Sequence, residues 1–326
     1  MLRFLVRRSL GALVIIFLIC AITFFLFFAL PSEPALLACG KNCSDPALIE
    51  QINRNLGLDE PVPVQFWHYV VGIFAGRDME VGNCPAPCLG YSFNDSQPVW
   101  ETILDRYPTT LSLAFGGAAV FLVTGVAIGM IAAARRGTAT DKFFSSLSLI
   151  GNSLQIYFIG VIAMWLFVDT WGVFDRPEYF PLTENPAKWF GGMLLPWLVL
   201  SIIFIANYSR MTRSQMIEQL NEEHVRTAKA KGMSGRTVFF RYAWRGAVAP
   251  IVTIVGIDLG SLFGGAMITE FTFTLHGLGR LAVNSVTEND LPMLMGVMLF
   301  SCTAIVIANI VVDALYAYID PRVRLS

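Results

Sequence analysis

Apolar residues in this chain collect into long uncharged runs, and almost all of its charge is confined to the stretches between them. Uncharged runs cover Leu10 to Leu30, Thr109 to Ala134, Phe143 to Val168 and Gly191 to Tyr208. Two more, Ala247 to Ile268 and Leu291 to Tyr316, are interrupted only by Asp258 and Asp313. At about 1.5 Å of rise per residue, the first run reaches roughly 31 Å, against a hydrocarbon core of about 30 Å. The pattern predicts an all-α membrane protein with six transmembrane helices. Residues 1–30 hold the N-terminus and first helix, 31–107 an extracytoplasmic loop subdomain, and 108–326 the other five helices. The loop is rich in Pro, Gly, Asn and Asp, with helical-looking pieces at Pro46 to Leu56 and Val64 to Phe74.

The polar stretch from Glu222 to Pro250 has a helical pattern of its own. Apolar residues recur at Met216, Ile217, Leu220, Val225 and Ala228; Gly232 then interrupts, and Ser234 is placed to N-cap a second stretch carrying Val238, Phe239 and Tyr242. The result is helix, turn, helix, set on the membrane surface between two spans. Such a unit can pass force from a soluble partner into the flanking helices, whereas the plain alternative is a basic loop.

Composition agrees with the pattern, because 55% of the 326 residues are hydrophobic and only 14% charged, which excludes a soluble class. Orientation follows from Lys and Arg. With the N-terminus in the cytoplasm, the inner pieces hold 16 basic and five acidic residues, and the outer loops seven and 17. The net charge of −1 therefore conceals strong sidedness. A basic helix-turn-helix is also a DNA-binding device, but spans on both sides hold this one at the bilayer, and no nucleic acid is expected. Two processing signals are set aside. The first apolar run is longer than a signal-peptide core, and Pro31, Glu33 and Pro34 separate it from the lipoprotein-like box ending at Cys39.

Four of the six cysteines lie in the external loop, as Cys39-x3-Cys43 and Cys84-x3-Cys88; Cys20 and Cys302 fall in apolar spans as packing residues. In an oxidising compartment the four favour two disulfides, of which three connectivities are possible. Zinc is the rival reading, but no well-spaced histidine joins the pairs, so no metal is expected.

Asp258, midway along the fifth run, should face protein or water, since a carboxylate at a helix centre costs about 2.5–3.5 kcal/mol. It either lines a pathway or bonds structurally to a neighbouring helix. Gly256, Gly260 and Gly264 recur every fourth residue around it, and Gly125 and Gly129 repeat that close-packing device. An intramembrane aspartyl protease would pair two carboxylates, but Asp258 is central and Asp313 peripheral, and the Gly-x-Gly-Asp run is missing. There is no Gly-x4-Gly-Lys-Ser/Thr loop, so any ATP-driven work needs a separate subunit, and the chain is expected to carry neither a catalytic site nor a cofactor of its own.

Glu223-His224-Val225-Arg226-Thr227-Ala228-Lys229-Ala230-Lys231-Gly232, followed at a distance by Pro250, resembles the EAA coupling loop in the form found in bacterial ABC importer permeases of the dipeptide/oligopeptide/nickel family. The general pattern would place Glu-Ala-Ala where Arg226-Thr227-Ala228 stand, a departure typical of the peptide subfamily. Leu56-Gly57-Leu58-Asp59 with Pro61 and Gln65, the run Leu89 to Phe93, Ile268-Thr269-Glu270 with Gly277-Leu278-Gly279, and the ending Tyr316 to Arg322 agree too. Met79 to Cys88 looks like an insertion. The resemblance implies a type I importer fold in a bacterial cell membrane, with both termini cytoplasmic. It further implies a second homologous permease, two ATPase subunits that bind ATP and Mg, and an external solute-binding protein delivering di- or oligopeptides, or else nickel or another small solute. Glu223 to Gly232 would couple to the ATPase, and Asp258 is the candidate on the translocation path. A six-helix receptor or sensor is the non-importing alternative.

Overall fold

The structure, a computed structural model, describes residues 2–26, 60–79 and 82–319. The helices are α1 (Leu2–Phe24), α2 (Val62–Ala75), α3 (Val99–Ala134), α4 (Ala139–Ser153), α5 (Ile156–Thr170), α6 (Pro186–Asn221) and α7 (Glu223–Ala230). They continue with α8 (Gly235–Phe263), α9 (Met267–Thr272), α10 (Leu278–Thr287) and α11 (Leu291–Ile319). Met164–Thr170 of α5 and Val238–Ala243 of α8 are wound as π-helix. A short antiparallel hairpin, β1 (Arg77–Met79) and β2 (Gly82–Cys84), pairs Arg77 with Cys84.

Helices α1, α3, α6, α8 and α11 are each long and apolar enough to cross a membrane. The sixth expected span is bent: α4 and α5 meet at 96°, making six spans if the pair counts as one. Leu154 and Gln155 at the corner are extended, with ψ of 135° and 132°. The preceding Gly151-Asn152-Ser153 weakens the helix there, since short polar side chains compete for backbone hydrogen bonds; the Ser153 hydroxyl donates to the Leu149 carbonyl at 3.1 Å. Helix α3 begins well before the apolar run at Thr109 and carries Pro108 inside it. Glu101, Asp105 and Arg106 make its first turns polar, so hydropathy alone does not reveal them.

The chain forms two compact units. The first holds the residues up to Thr110, with Phe263–Met267 and His276–Ile310. Its core gathers Cys20 and Phe24 from α1, Tyr69 from α2, Val99 and Ile103 from α3, Leu278 and Leu281 from α10, and Met293 and Met295 from α11. Phe66 of α2 stands 5.7 Å from Phe17 and 5.5 Å from Phe24, so α2 runs beside the C-terminal half of α1. The Arg77 guanidinium sits 5.2 Å over the Tyr69 ring; burial pushes the Tyr69 hydroxyl pKa up and that of Arg77 down. Asp290 accepts from the Ser92 hydroxyl, from the Phe93 amide at 3.3 Å and from the Met293 amide at 3.2 Å. One buried carboxylate thus caps α11 and pins the Leu89 to Phe93 run. Cys84 and Cys88 are joined by a disulfide, whereas Cys39 and Cys43 lie outside the described residues, as do Pro46 to Leu56 and the side chain of Asp313.

The second unit comprises Leu111–Leu262, Ile268–Leu275 and the chain from Val311 onward. Its backbone is the close pairing of α3 with α6. A Cβ at Gly129 would stand 2.6 Å from the Ser209 carbonyl oxygen, and one at Gly125 2.9 Å from the Tyr208 Cβ. Phe121 stacks on Phe204 at 4.6 Å and on Tyr208 at 5.1 Å. Lipid offers no hydrophobic drive between helices, so backbone approach and ring contact supply the attraction here. Gly256 of α8 makes the same kind of approach to Val312 of α11.

Candidate coupling segment and intramembrane polar pair

The ten residues from Glu223 to Gly232 form α7 and its C-terminal turn. One extended residue, Glu222 at ψ 149°, separates α7 from the end of α6. The helix ends in a Schellman motif: the Met233 amide donates to the Ala228 carbonyl at 3.4 Å and the Gly232 amide to that of Lys229 at 3.0 Å. Gly232 takes φ +76°, the left-handed conformation that this motif requires. Ser234 then caps α8, its hydroxyl accepting from the Thr237 amide at 3.4 Å. The turn chemistry is the one the sequence predicts.

Two side chains hold α7 down. Val225 and Ala228, one turn apart, are buried against Met216 of α6, Ala133 of α3, and Val238, Ala243 and Ala247 of α8, with Ile217, Leu220, Phe239, Tyr242 and Trp244 at the margin. Gly246 lets α8 come so close to α6 that a Cβ there would collide with the Gln219 side-chain amide. The other eight residues of the segment, Glu223, His224, Arg226, Thr227, Lys229, Ala230, Lys231 and Gly232, are exposed. Glu223 in the first turn and Lys229 in the last both complement the helix dipole. The arrangement is a short helix with a mixed-charge outer face and an apolar footing shared by three long helices.

Asp258 is half-buried in α8, and the Tyr208 hydroxyl of α6 donates to its Oδ2 at 2.7 Å. The partner helix of the structural alternative is therefore identified, and the carboxylate is left partly open. A second polar link escapes sequence reading. Arg213 of α6 makes a two-pronged bond to Asp141 at the start of α4, Nε to Oδ1 at 2.5 Å and a terminal nitrogen to Oδ2 at 2.9 Å. The Gly137 amide adds a bond to Asp141 at 2.9 Å, fixing the α3–α4 loop. The only hint in the sequence is an acid standing alone among Arg135, Arg136 and Lys142. Among the described residues no cluster of His, Cys, Asp or Glu is able to hold a metal ion.

Residues 1–114 match the family profile described as binding-protein-dependent transport system membrane component, N-terminal, and residues 125–325 match the binding-protein-dependent transport system inner membrane component. Among similar proteins, a putative peptide transport system permease protein of Brucella abortus is 35% identical over 98% of both chains. A probable peptide ABC transporter permease protein of Sinorhizobium fredii is 31% identical over 98% of this chain and 99% of its own. The dipeptide transport system permease protein DppB of Escherichia coli is 32% identical over 99% of each.

Proposed function

The chain belongs to the inner membrane components of binding-protein-dependent transport systems, and from that premise we propose that it forms the translocation path of an ATP-driven importer of di- or oligopeptides. The observation that carries the reading is α7 itself. Its charged face is turned outward, and its apolar footing rests on α3, α6 and α8 together, so a push on the outer face reaches three long helices at once. A loop that merely joined α6 to α8 would need no such footing.

In this reading α7 docks on an ATPase pair at the cytoplasmic surface, and a second homologous permease completes the pore. An external solute-binding protein delivers the substrate, and the peptide class follows from the names of the relatives. With no phosphate-binding loop in the chain, ATP and Mg belong to the partner subunits. ATP binding closes the ATPase pair, α7 follows as a lever, and the helix bundle exchanges inward-facing for outward-facing, a two-state element biased by ligand. Asp258 is assigned to the path. Its half-open carboxylate, held by Tyr208, suits the ammonium group of a peptide or a water file.

Purification from native membranes followed by reconstitution tests the proposal. Co-purification of an ATPase pair and a second permease, with ATP-dependent uptake of a labelled dipeptide into proteoliposomes, is expected. A kinase partner, or uptake that continues without ATP, overturns it.

A further inference from the structure

Helix α2 turns three different faces to its surroundings, and one of them is apolar and uncovered. At about 100° per residue, Phe66, Tyr69, Val70 and Ile73 fall on one side and pack into the core of the first unit. Val64, Trp67, Val71 and Phe74 fall in a second sector about 80° wide, and they are 40%, 61%, 42% and 80% exposed. Gln65 and His68 share the third. There the Gln65 side-chain amide donates to the Glu60 carbonyl at 2.7 Å, and His68 stands 2.9 Å from the Glu60 carboxylate. No Asp, Glu, Lys or Arg occurs in the helix. Its depth follows from α1. Phe66 meets Phe17 and Phe25, with ring centres 5.7 and 5.9 Å apart, and Phe17 lies roughly 15 Å along the axis from Arg7, where the span begins. Helix α2 therefore stands level with a part of α1 that runs through hydrocarbon, yet its 14 residues reach only roughly 21 Å and cannot cross. Phe17 and Leu18 of α1, at the same level, are themselves half-exposed, so the α2 stripe continues the lipid-facing surface of α1.

We propose that α2 is an interfacial helix: it lies in the leaflet at the C-terminal end of α1, with Val64, Trp67, Val71 and Phe74 among the lipid chains and Gln65 and His68 at the headgroups. An apolar sector beside a polar one, with Trp on the apolar side, suits a helix that lies in a bilayer surface rather than across it. A soluble partner that docks and leaves needs a face that also tolerates water, and an uncharged stripe with Phe74 four-fifths exposed is a poor one. Strand β1 begins two residues after α2 ends, so the hairpin and the Cys84–Cys88 loop are moored at the bilayer surface. The inference rests on the membrane-spanning fold and not on the importer assignment.

The test uses the whole transporter complex in nanodiscs of phosphatidylethanolamine and phosphatidylglycerol. The photoreactive residue benzoylphenylalanine, incorporated in place of Trp67 or Phe74 and irradiated, should give phospholipid adducts detectable by mass spectrometry. In place of His68 it should give almost none. Trp67→Glu combined with Phe74→Glu should speed hydrogen exchange across residues 66–75 by about tenfold or more, the factor that about 1.4 kcal/mol corresponds to, because two carboxylates would have to leave the lipid. Both side chains are exposed in the protein itself, so on a water-facing helix the same substitutions would leave exchange unchanged. Equal lipid adducts at all three positions, adducts chiefly to another protein subunit, or unchanged exchange in the double variant overturns the proposal.

Discussion

Gly232→Val separates the backbone requirement of the α7 turn from every other influence on it. Gly232 has φ +76°, and a Cβ built there meets no atom within 4 Å, so the substitution brings no clash with neighbouring residues. What remains is the cost of a left-handed L-residue, about 1–2 kcal/mol, at the upper end for a β-branched one. Helix α7 has little to set against that. It is eight residues long, too short to stand alone, and is anchored by one buried Val, worth roughly 1.5–3 kcal/mol, and one buried Ala. A loss of 1–2 kcal/mol should raise the population of the frayed turn by about 5- to 30-fold. Hydrogen exchange at positions 232 and 233, whose amides close the Schellman motif, should accelerate by that factor. In proteoliposomes carrying the full transporter, peptide uptake should fall and ATPase activity should stop responding to loaded binding protein, while subunit assembly is unchanged. Gly232→Asn, tolerant of the left-handed region, should restore most of both. Wild-type uptake and phosphate release in the Val variant, with exchange accelerated as expected, would refute the role of this turn in coupling.

Asp141→Asn removes the charge that Arg213 grips, so thermal unfolding in detergent should shift down by a few degrees; Arg213→Lys, which keeps the charge but loses the fork, should fall between, and no shift in either variant would deny the bridge a structural role. Non-reducing mass spectrometry should find Cys84 linked to Cys88, leaving Cys39 to pair with Cys43; a cross-link between the two pairs, or four free thiols, would exclude this pattern. Replacing Cys84 and Cys88 by Ala should cost about 2 kcal/mol of local stability, the chain-entropy figure for so short a loop, and expose the hairpin to protease with the helices still inserted. Cysteines introduced at Ser44 and Ser214, native external thiols being blocked first, should label oppositely with an impermeant reagent on intact cells; labelling of Ser214 would reverse the orientation.

Where a feature depends on neighbours in sequence, it was legible. The spans follow from runs of apolar residues, the α7 stop from Gly232, the restart from Ser234, and the buried pair from the three-residue spacing of Val225 and Ala228. The glycine ridge of α3 was legible as a device, although the surface it meets on α6 was not. The corner at Leu154 and Gln155 escaped because a hydropathy run takes no account of the weak Gly151-Asn152-Ser153 end within it. The polar start of α3 escaped for the opposite reason, being helix without hydrophobicity. Long-range pairs carry no local signal: Tyr208 finds Asp258 across 50 residues and Asp141 finds Arg213 across 72, and nothing near either acid names its partner. The π-helical stretch at Val238–Ala243 is equally silent, since one extra residue in a turn leaves no distinct periodicity.

That same stretch acts as a phase adjuster. Val238 and Ala243 lie under α7, and the rest of α8 must present Gly256 to Val312 and Asp258 to Tyr208 further along the same rod. An unbroken α-helix would lock those two orientations together, because every residue advances the face by a fixed 100° or so. A wide turn placed just after α7 adds a fixed offset between the two faces, which brings both into register with their partners. Insertion or deletion of one residue within Val238–Ala243 would therefore rotate the whole membrane half of the helix by about a quarter turn while leaving the composition of both faces untouched. Such a lesion would not register in any measure of hydropathy, yet it would carry Asp258 away from Tyr208.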